Sequence, residues 1–352
     1  MFEMTSSLTT RLPTLAASVL VGCVGCSQAA SDARGAHLVE RARPAMGSEL
    51  RLTAWAADAP AALAAFEAVF QEFDRLEDLM STWREGSDIQ RLNAAAGDHP
   101  VPVSPEVRDV LGIAHEVSEW TDGRFDVTFG VLSGLWKFDD QDKDNTIPDR
   151  GHVLQRLPLI NYRDLDVDAH AGTAYLRRRG MRANLGGIGK GYAVDRAVDL
   201  MRRRGLRDFM IQAGGDFYAA GRRGDRPWRV GIRDPRGPAD RIFAALDLSD
   251  ATFSTSGDYE RFFLKDGTRY HHILDLSAGE PARGCRSVTL VTTRAVIADA
   301  LAKGVFVLGP AAGMALIEQL PDVEGVIVGA RNEVLVSSGL KTRLALLAPP
   351  TD

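Results

Sequence analysis

The chain has 352 residues, 45% hydrophobic and 25% charged, which is enough apolar material for one large or two modest domains with a sizeable core. A formal net charge of −5 leaves no global field favouring nucleic acid, and three cysteines are too few for a disulfide framework. No apolar run reaches the length of a membrane span.

Residues 15–22 are mostly apolar, follow Arg11, and suit the core of a signal peptide. Leu20-Val21-Gly22-Cys23 resembles a bacterial lipobox, in which the thiol after a small residue is lipidated and becomes the mature N-terminus. The expected organisation is a lipoprotein signal over 1–23, a small, polar tether over 24–37 and a folded domain over 38–345. The expected location is the periplasmic face of a bacterial membrane, held by several acyl chains. An ordinary signal cut near Ala29 is the competing reading. A redox pair of Cys23 and Cys26 has no fold around it.

Residues 38–56 alternate around Leu50 and Leu52 and predict strands, with Met46-Gly47-Ser48 inside. Over 61–80, Leu63, Phe66, Phe70, Phe73, Leu76 and Met80 share one helical face, and Ser81-Thr82-Trp83 ends that helix. A short helix starts at Ser87-Asp88 and carries Leu92 and Asn93. Ser104 caps, and Pro105 opens, a helix that runs to Trp120. Residues 121–138 mix aromatics, glycines and Asp126, as a ligand-lining loop would. Asp140, Asp142 and Asp144 alternate like the start of a calcium loop. Asn145 and Gly151 stand where that loop needs glycine and glutamate, so a solvated acidic loop is the better reading.

Residues 173–185 predict a hairpin about Arg179-Gly180, with 181–185 as the end of a strand. Gly187, Gly189 and Gly191 then alternate, and Val194, Ala197, Val198 and Met201 follow at helical spacing. Strand, glycine turn and helix leave bare N–H groups where a phosphate can sit, and Lys190 adds a point charge. The third glycine comes one residue too early for a dinucleotide fingerprint. The arginine runs 177–179 and 202–204 read as a solvated turn and a helix C-terminus, and Gly205 closes that helix. An apolar strand over 209–213 ends in Gly214-Gly215-Asp216. Strands at 228–233 and 243–248 come next, and 254–259 read as a hydroxyl-rich turn. Asp266-Gly267 predicts a hairpin whose second strand carries His271 and His272, facing opposite ways. A strand at 287–292, a helix containing Ala298-Asp299-Ala300-Leu301, a helix near 311–319 and two strands within 324–336 complete a mixed α/β (α+β) fold. It reads as one compact unit, with two lobes as an option. Cys285 reads as an inert buried thiol.

Five pieces taken in order resemble the FAD:protein FMN transferase family, often called ApbE. They are Met46-Gly47-Ser48, the segment 125–136, the segment 184–195, Ala213-Gly214-Gly215-Asp216, and 254–263 with 272–275; residues 298–301 add a partial sixth. The likeness runs from about residue 40 to 340. It implies the ApbE flavin transferase fold and an enzyme that moves the FMN half of FAD to a threonine of a target protein, releasing AMP. It implies FAD contacts at Met46, Trp83, Phe125, Asp126, Val127, Asn184, Lys190 and the backbone near Leu274. It implies Mg²⁺ on the Gly187 carbonyl, on Asp299 and on a threonine four residues later. Three positions depart from the family pattern: Lys303 stands for that threonine, Asn184 for an aspartate and Leu276 for a proline.

The residue types suit the chemistry. A threonine oxygen attacks the FMN-side phosphorus while AMP leaves in line, so positioning and charge neutralisation dominate. His272 has the ordinary pKa range of a general base, with Asp275 to orient it and Asp216 as the competing base. The implied partners are FAD and a membrane or periplasmic redox protein bearing the acceptor threonine, with no nucleic acid. Family targets carry that threonine in a motif close to Asp-Gly-x-Thr-(Ser/Gly)-Ala-Thr, which this chain lacks. FAD hydrolysis to FMN and AMP, with water in place of threonine, is the alternative activity; a flavin-binding lipoprotein without catalysis is the third reading.

Overall fold

Strands β1 (His37–Ala45), β2 (Ser48–Ala56), β3 (Phe209–Ala213), β4 (Asp216–Ala220), β5 (Ala251–Gly257), β6 (Cys285–Thr292), β7 (Glu324–Gly329) and β8 (Val334–Val336) form one eight-stranded sheet. This computed structural model describes residues 35–138, 145 and 147–352, so the signal, the lipobox, Asp140, Asp142 and Asp144 lie outside it. Every neighbouring pair is antiparallel and the spatial order is the chain order. Strict alternation puts the β1–β2, β3–β4, β5–β6 and β7–β8 connections at one end of the sheet.

Two of those connections are tight for local reasons. Met46 (φ 47°) and Gly47 (φ 72°) both take left-handed backbone between Ala45 and Ser48, the geometry a two-residue hairpin needs. Gly214 (φ 61°) and Gly215 turn the chain between Ala213 and Asp216. The other connections hold helices α1 (Ala59–Met80), α2 (Asp88–Ala94), α3 (Pro105–Trp120), α4 (Arg150–Arg156), α5 (Gly189–Arg203), α6 (Ala295–Leu308) and α7 (Pro310–Gln319).

Every residue of β3 and β4 is buried, because the sheet is covered on both faces. On one face Leu50, Leu52 and Ile211 pack with Phe66, Phe73, Val194 and Leu301 of α1, α5 and α6. On the other, Met210, Phe217 and Phe253 pack against Trp228, Val230 and Phe243. These last belong to a small sheet of Trp228–Arg233, Ile242–Leu248 and Ala345–Leu346. Among the described residues no helix is long and apolar enough to cross a membrane.

Three expected elements differ. The segment 254–259 is mostly strand: Ser254 to Gly257 belong to β5, paired to β6 throughout and to β4 as far as Ser254, and only Asp258 and Tyr259 turn. Thr173–Leu176 does form a hairpin, but with Leu165–Asp168 before it. Residues 181–185 belong to no strand, and an isolated bridge joins Phe129 and Arg182. Their backbone is satisfied otherwise, by Asn184 N–H donating to the Val127 carbonyl (2.8 Å) and by Asn93. The Asn93 amide receives the Ala183 N–H at 2.6 Å and donates to the Ala183 carbonyl at 2.9 Å. Finally, the second strand of the Asp266-Gly267 hairpin ends at His271, so His272 lies just past it.

Candidate active site

Two buried carboxylates and two lysines meet beside the glycine turn. Asp216 opens β4 directly after Gly214-Gly215, and the sheet register sets it opposite Ser254 of β5. Ser254 Oγ donates to Asp216 Oδ1 at 2.5 Å, and Lys190 Nζ donates to Oδ2 at 2.6 Å. Lys190 Nζ also lies 3.9 Å from Asp299 Oδ1. Asp299 is fully buried on α6; its Oδ2 accepts the Gly191 N–H at 2.9 Å. Lys303, one turn further along α6, donates to the Asp299 carbonyl at 2.7 Å and to Oδ1. Burial opposes ionisation of Asp216, but the Lys190 and Lys303 charges outweigh it and hold the carboxyl below its usual range. Burial likewise opposes the Lys190 ammonium, and Asp216 and Asp299 outweigh it in turn, raising its pKa.

Glycine makes this approach possible. A Cβ on Gly191 would stand 2.3 Å from the Ala295 carbonyl oxygen and 2.7 Å from Asp299 Cβ, so a larger residue would push α5 off α6. A Cβ on Gly187 would meet Lys303 Cδ at 3.2 Å and the Phe125 ring at 3.3 Å, which brings both side chains to the turn. Asp195 fixes α6 from below: its carboxylate accepts the N–H groups of Ala295 (2.7 Å) and Val296 (3.0 Å). Burial pushes that carboxyl up to about 6.

His272 is half-buried at the same end of the sheet. Its backbone N–H donates to the Arg261 carbonyl at 3.2 Å, and its Nδ1 lies 3.4 Å from that oxygen. Arg261 Nη2 donates to the Gly47 carbonyl at 3.2 Å, tying the Met46-Gly47 turn to the His272 segment. Burial first, then Arg261, His271 and Lys303, push the imidazole down to about 3. It is therefore neutral at pH 7.

The remaining expected site residues fall into three groups. Met46, Phe125, Asn184, Gly187, Lys190, Asp216, Asp299 and His272 belong to this set of connected turns and helix ends. Asn184 holds the turn, its Oδ1 accepting the Gly186 N–H at 2.8 Å and its Nδ2 donating to Ser133 Oγ at 3.2 Å. Val127 is buried, and Leu274 packs half-buried against Val131, Leu132 and Val153. Trp83 is 85% exposed and offers an open indole face. The Asp126 side chain is held by its own loop, Oδ1 accepting the Thr128 N–H and hydroxyl and Oδ2 the Tyr162 N–H, all at 2.7 Å. One expectation is corrected. Asp275 does not orient His272; its carboxylate accepts from Ser277 N–H (2.9 Å) and Oγ (2.6 Å), with Arg124 3.8 Å away. The cause is local, since Leu274–Asp275 leaves the hairpin to pair with Glu280–Pro281.

Arg261, Ser254, Asn93 and Asp195 are the site residues that spacing did not single out. All but Asn93 lie within the motif pieces, yet each reads alone as a solvated or capping polar residue. The Mg²⁺ expectation meets a donor set that does not fit. Asp299 spends one oxygen on Gly191 and the other on Lys303, and residue 303 presents an ammonium, which only donates and which repels a dication.

A model of the ApbE family matches residues 46–327. The chain is 32% identical over 303 residues to an FAD:protein FMN transferase of Klebsiella pneumoniae, covering 86% of this chain and 92% of the relative. It is 33% identical to an FAD:protein FMN transferase of Treponema pallidum, over 81% and 82% of the two chains. Among solved structures, the ApbE protein of Thermotoga maritima superposes with a TM-score of 0.79 at 31% identity, covering 87% of this chain and 99% of that one. The flavin transferase ApbE of Vibrio cholerae superposes with a TM-score of 0.78 at 27% identity, covering 88% and 99%.

Proposed function

Because the chain belongs to the ApbE family, we propose that it transfers FMN from FAD to a threonine of a target protein and releases AMP. The observation that carries this reading is the end of the sheet where a neutral imidazole feels the charges of Arg261 and Lys303, with the Lys303 stem lying over a glycine turn. A pyrophosphate needs such charge, and an attacking hydroxyl needs a base that is unprotonated at neutral pH. The threonine Oγ–phosphorus bond forms, the bond from that phosphorus to the AMP oxygen breaks, and the hydroxyl proton goes to His272. Nδ1 faces the Arg261 carbonyl, which only accepts, so the lone pair sits on Nε2. Burial and the charges of Arg261 and Lys303 make the imidazole a weak base, and the phosphates of FAD offset the part that is due to charge. Asp216 is the poorer candidate, being locked to Lys190 and Ser254. Trp83 offers an exposed aromatic face for the flavin.

Replacing His272 by Ala tests the assignment. FAD affinity should stay within a few-fold while transfer, read as flavin fluorescence on an acceptor carrying the family motif, falls by about 10²-fold or more. Near-normal transfer would remove His272 from the base role. The reading extends to the N-terminus: lipidation at Cys23 of the Leu20-Val21-Gly22-Cys23 motif would tether the domain to a membrane facing its target. Cys23→Ser should then move the protein into the soluble periplasmic fraction, and a variant that fractionates like the wild type would refute the anchor.

A further inference from the structure

We propose that the Lys303 ammonium takes the place of a divalent cation at this site, so that the chain binds FAD and transfers FMN without one. The inference rests on the transfer reading above and concerns only what supplies its positive charge. Lys303 and Asp299 are one helical turn apart on α6 and share a face. The ammonium is not out in solvent. It is anchored twice to Asp299, through the carbonyl at 2.7 Å and through Oδ1, and only 21% of the side chain is exposed. Its stem lies over Gly187, where a Cβ would stand 3.2 Å from Lys303 Cδ, beside the Phe125 ring.

The charges around it close without a metal. Asp216 and Asp299 are buried, and Lys190 and Lys303 neutralise them, with Lys190 3.9 Å from the oxygen that Lys303 holds. A dication seated between the Gly187 carbonyl and Asp299 would have to displace Lys303 and face two ammonium groups. An ammonium, by contrast, can leave one of its donors for a phosphate oxygen while keeping Asp299. In the transfer step it stabilises the negative charge that grows on the departing AMP oxygen. The bonds made and broken, and the proton taken by His272, are unchanged.

The test uses the full folded domain stripped with a chelator, as wild type, Lys303→Thr and Lys303→Met. FAD affinity is read by flavin fluorescence and metal binding by Mn²⁺ electron paramagnetic resonance in the presence of FAD. The wild type should keep its FAD affinity within about twofold on chelation and bind no stoichiometric Mn²⁺. Lys303→Thr should gain one Mn²⁺ site, and its FAD affinity should rise about tenfold or more when Mg²⁺ is added, the scale of one charged hydrogen bond. Lys303→Met keeps length and loses charge. It should lose FAD affinity by a similar factor, and Mg²⁺ should not restore it. One Mn²⁺ per wild-type chain bound as tightly as by Lys303→Thr would overturn the proposal, as would Lys303→Met with undiminished FAD affinity. These readouts need no turnover. Intact FAD binding with no FMN transfer, with or without Mg²⁺, would instead strike the transfer reading alone.

Discussion

His272 shows how the site sets the behaviour of one residue. Burial and two neighbouring cations hold its pKa at about 3 in the folded chain, against an ordinary 6.5. The unfolded chain therefore binds more protons between those values, and His272 costs the folded state stability as pH falls through that window. The same bias links it to substrate, because an anion at Arg261 and Lys303 raises the imidazole pKa and makes it a better base when the phosphates are in place. Residue by residue, the sequence was informative where type and role coincide. Lys190 and Asp216 read as charged groups beside glycines, Asp299 was indicated by the family resemblance, and the three stand together in the fold. Asp126 and Asp275 carry the same chemistry in the sequence, but both oxygens of Asp126 are taken by Thr128 and Tyr162, and Oδ1 of Asp275 is taken by Ser277. Which hydrogen bonds a carboxylate accepts is decided by the loop around it, and spacing does not report that.

At the scale of elements, α6 matters most because it carries both Asp299 and Lys303, and Asp195 of α5 holds its first turn. The Asp195 pKa is raised to about 6 in the folded chain from an ordinary 3.8, with burial the largest cause. The folded state then binds more protons than the unfolded one between about pH 4 and 6, so this residue makes stability fall as pH rises through that window, by at most about 1.4 kcal/mol per pH unit. Asp195→Asn keeps an accepting oxygen and cannot ionise. Chemical denaturation across pH 4 to 6 should show a stability profile whose slope, relative to wild type, is more positive with rising pH. Parallel profiles would refute the role. The helices and the Asp266-Gly267 hairpin were legible because periodicity and turn chemistry are local. The β5 strand was not. Ser254, Thr255, Ser256 and Gly257 have turn propensity, and pairing with strands far along the chain overrides it. Residues 181–185 misled in the opposite sense, since a stretch that buries Met181, Ala183 and Leu185 alternately and is satisfied by Asn93 and Val127 has no need of a strand partner.

For the whole molecule, the sequential antiparallel sheet is what makes a site possible. Alternate connections fall at one end, so the Met46-Gly47 turn, the Gly214-Gly215 turn and the long β5–β6 insertion with Arg261 and His272 arrive together. Helices α5 and α6, packed across one face, deliver Lys190, Asp299 and Lys303 to the same place. Each of these segments is distant from the others in sequence, which is why the ordered set of short motifs pointed to the site while no single one did. The central claim is that this end of the sheet moves FMN from FAD onto a protein threonine. Intact-mass spectrometry of an acceptor domain carrying the family motif, incubated with the chain and FAD, tests it directly when AMP is counted in the same sample. The account predicts one FMN on the motif threonine and one AMP released per acceptor modified, with neither formed on an acceptor whose threonine is replaced by alanine. FMN and AMP accumulating together beside an unmodified acceptor would contradict it, because water rather than threonine would then be the attacking group.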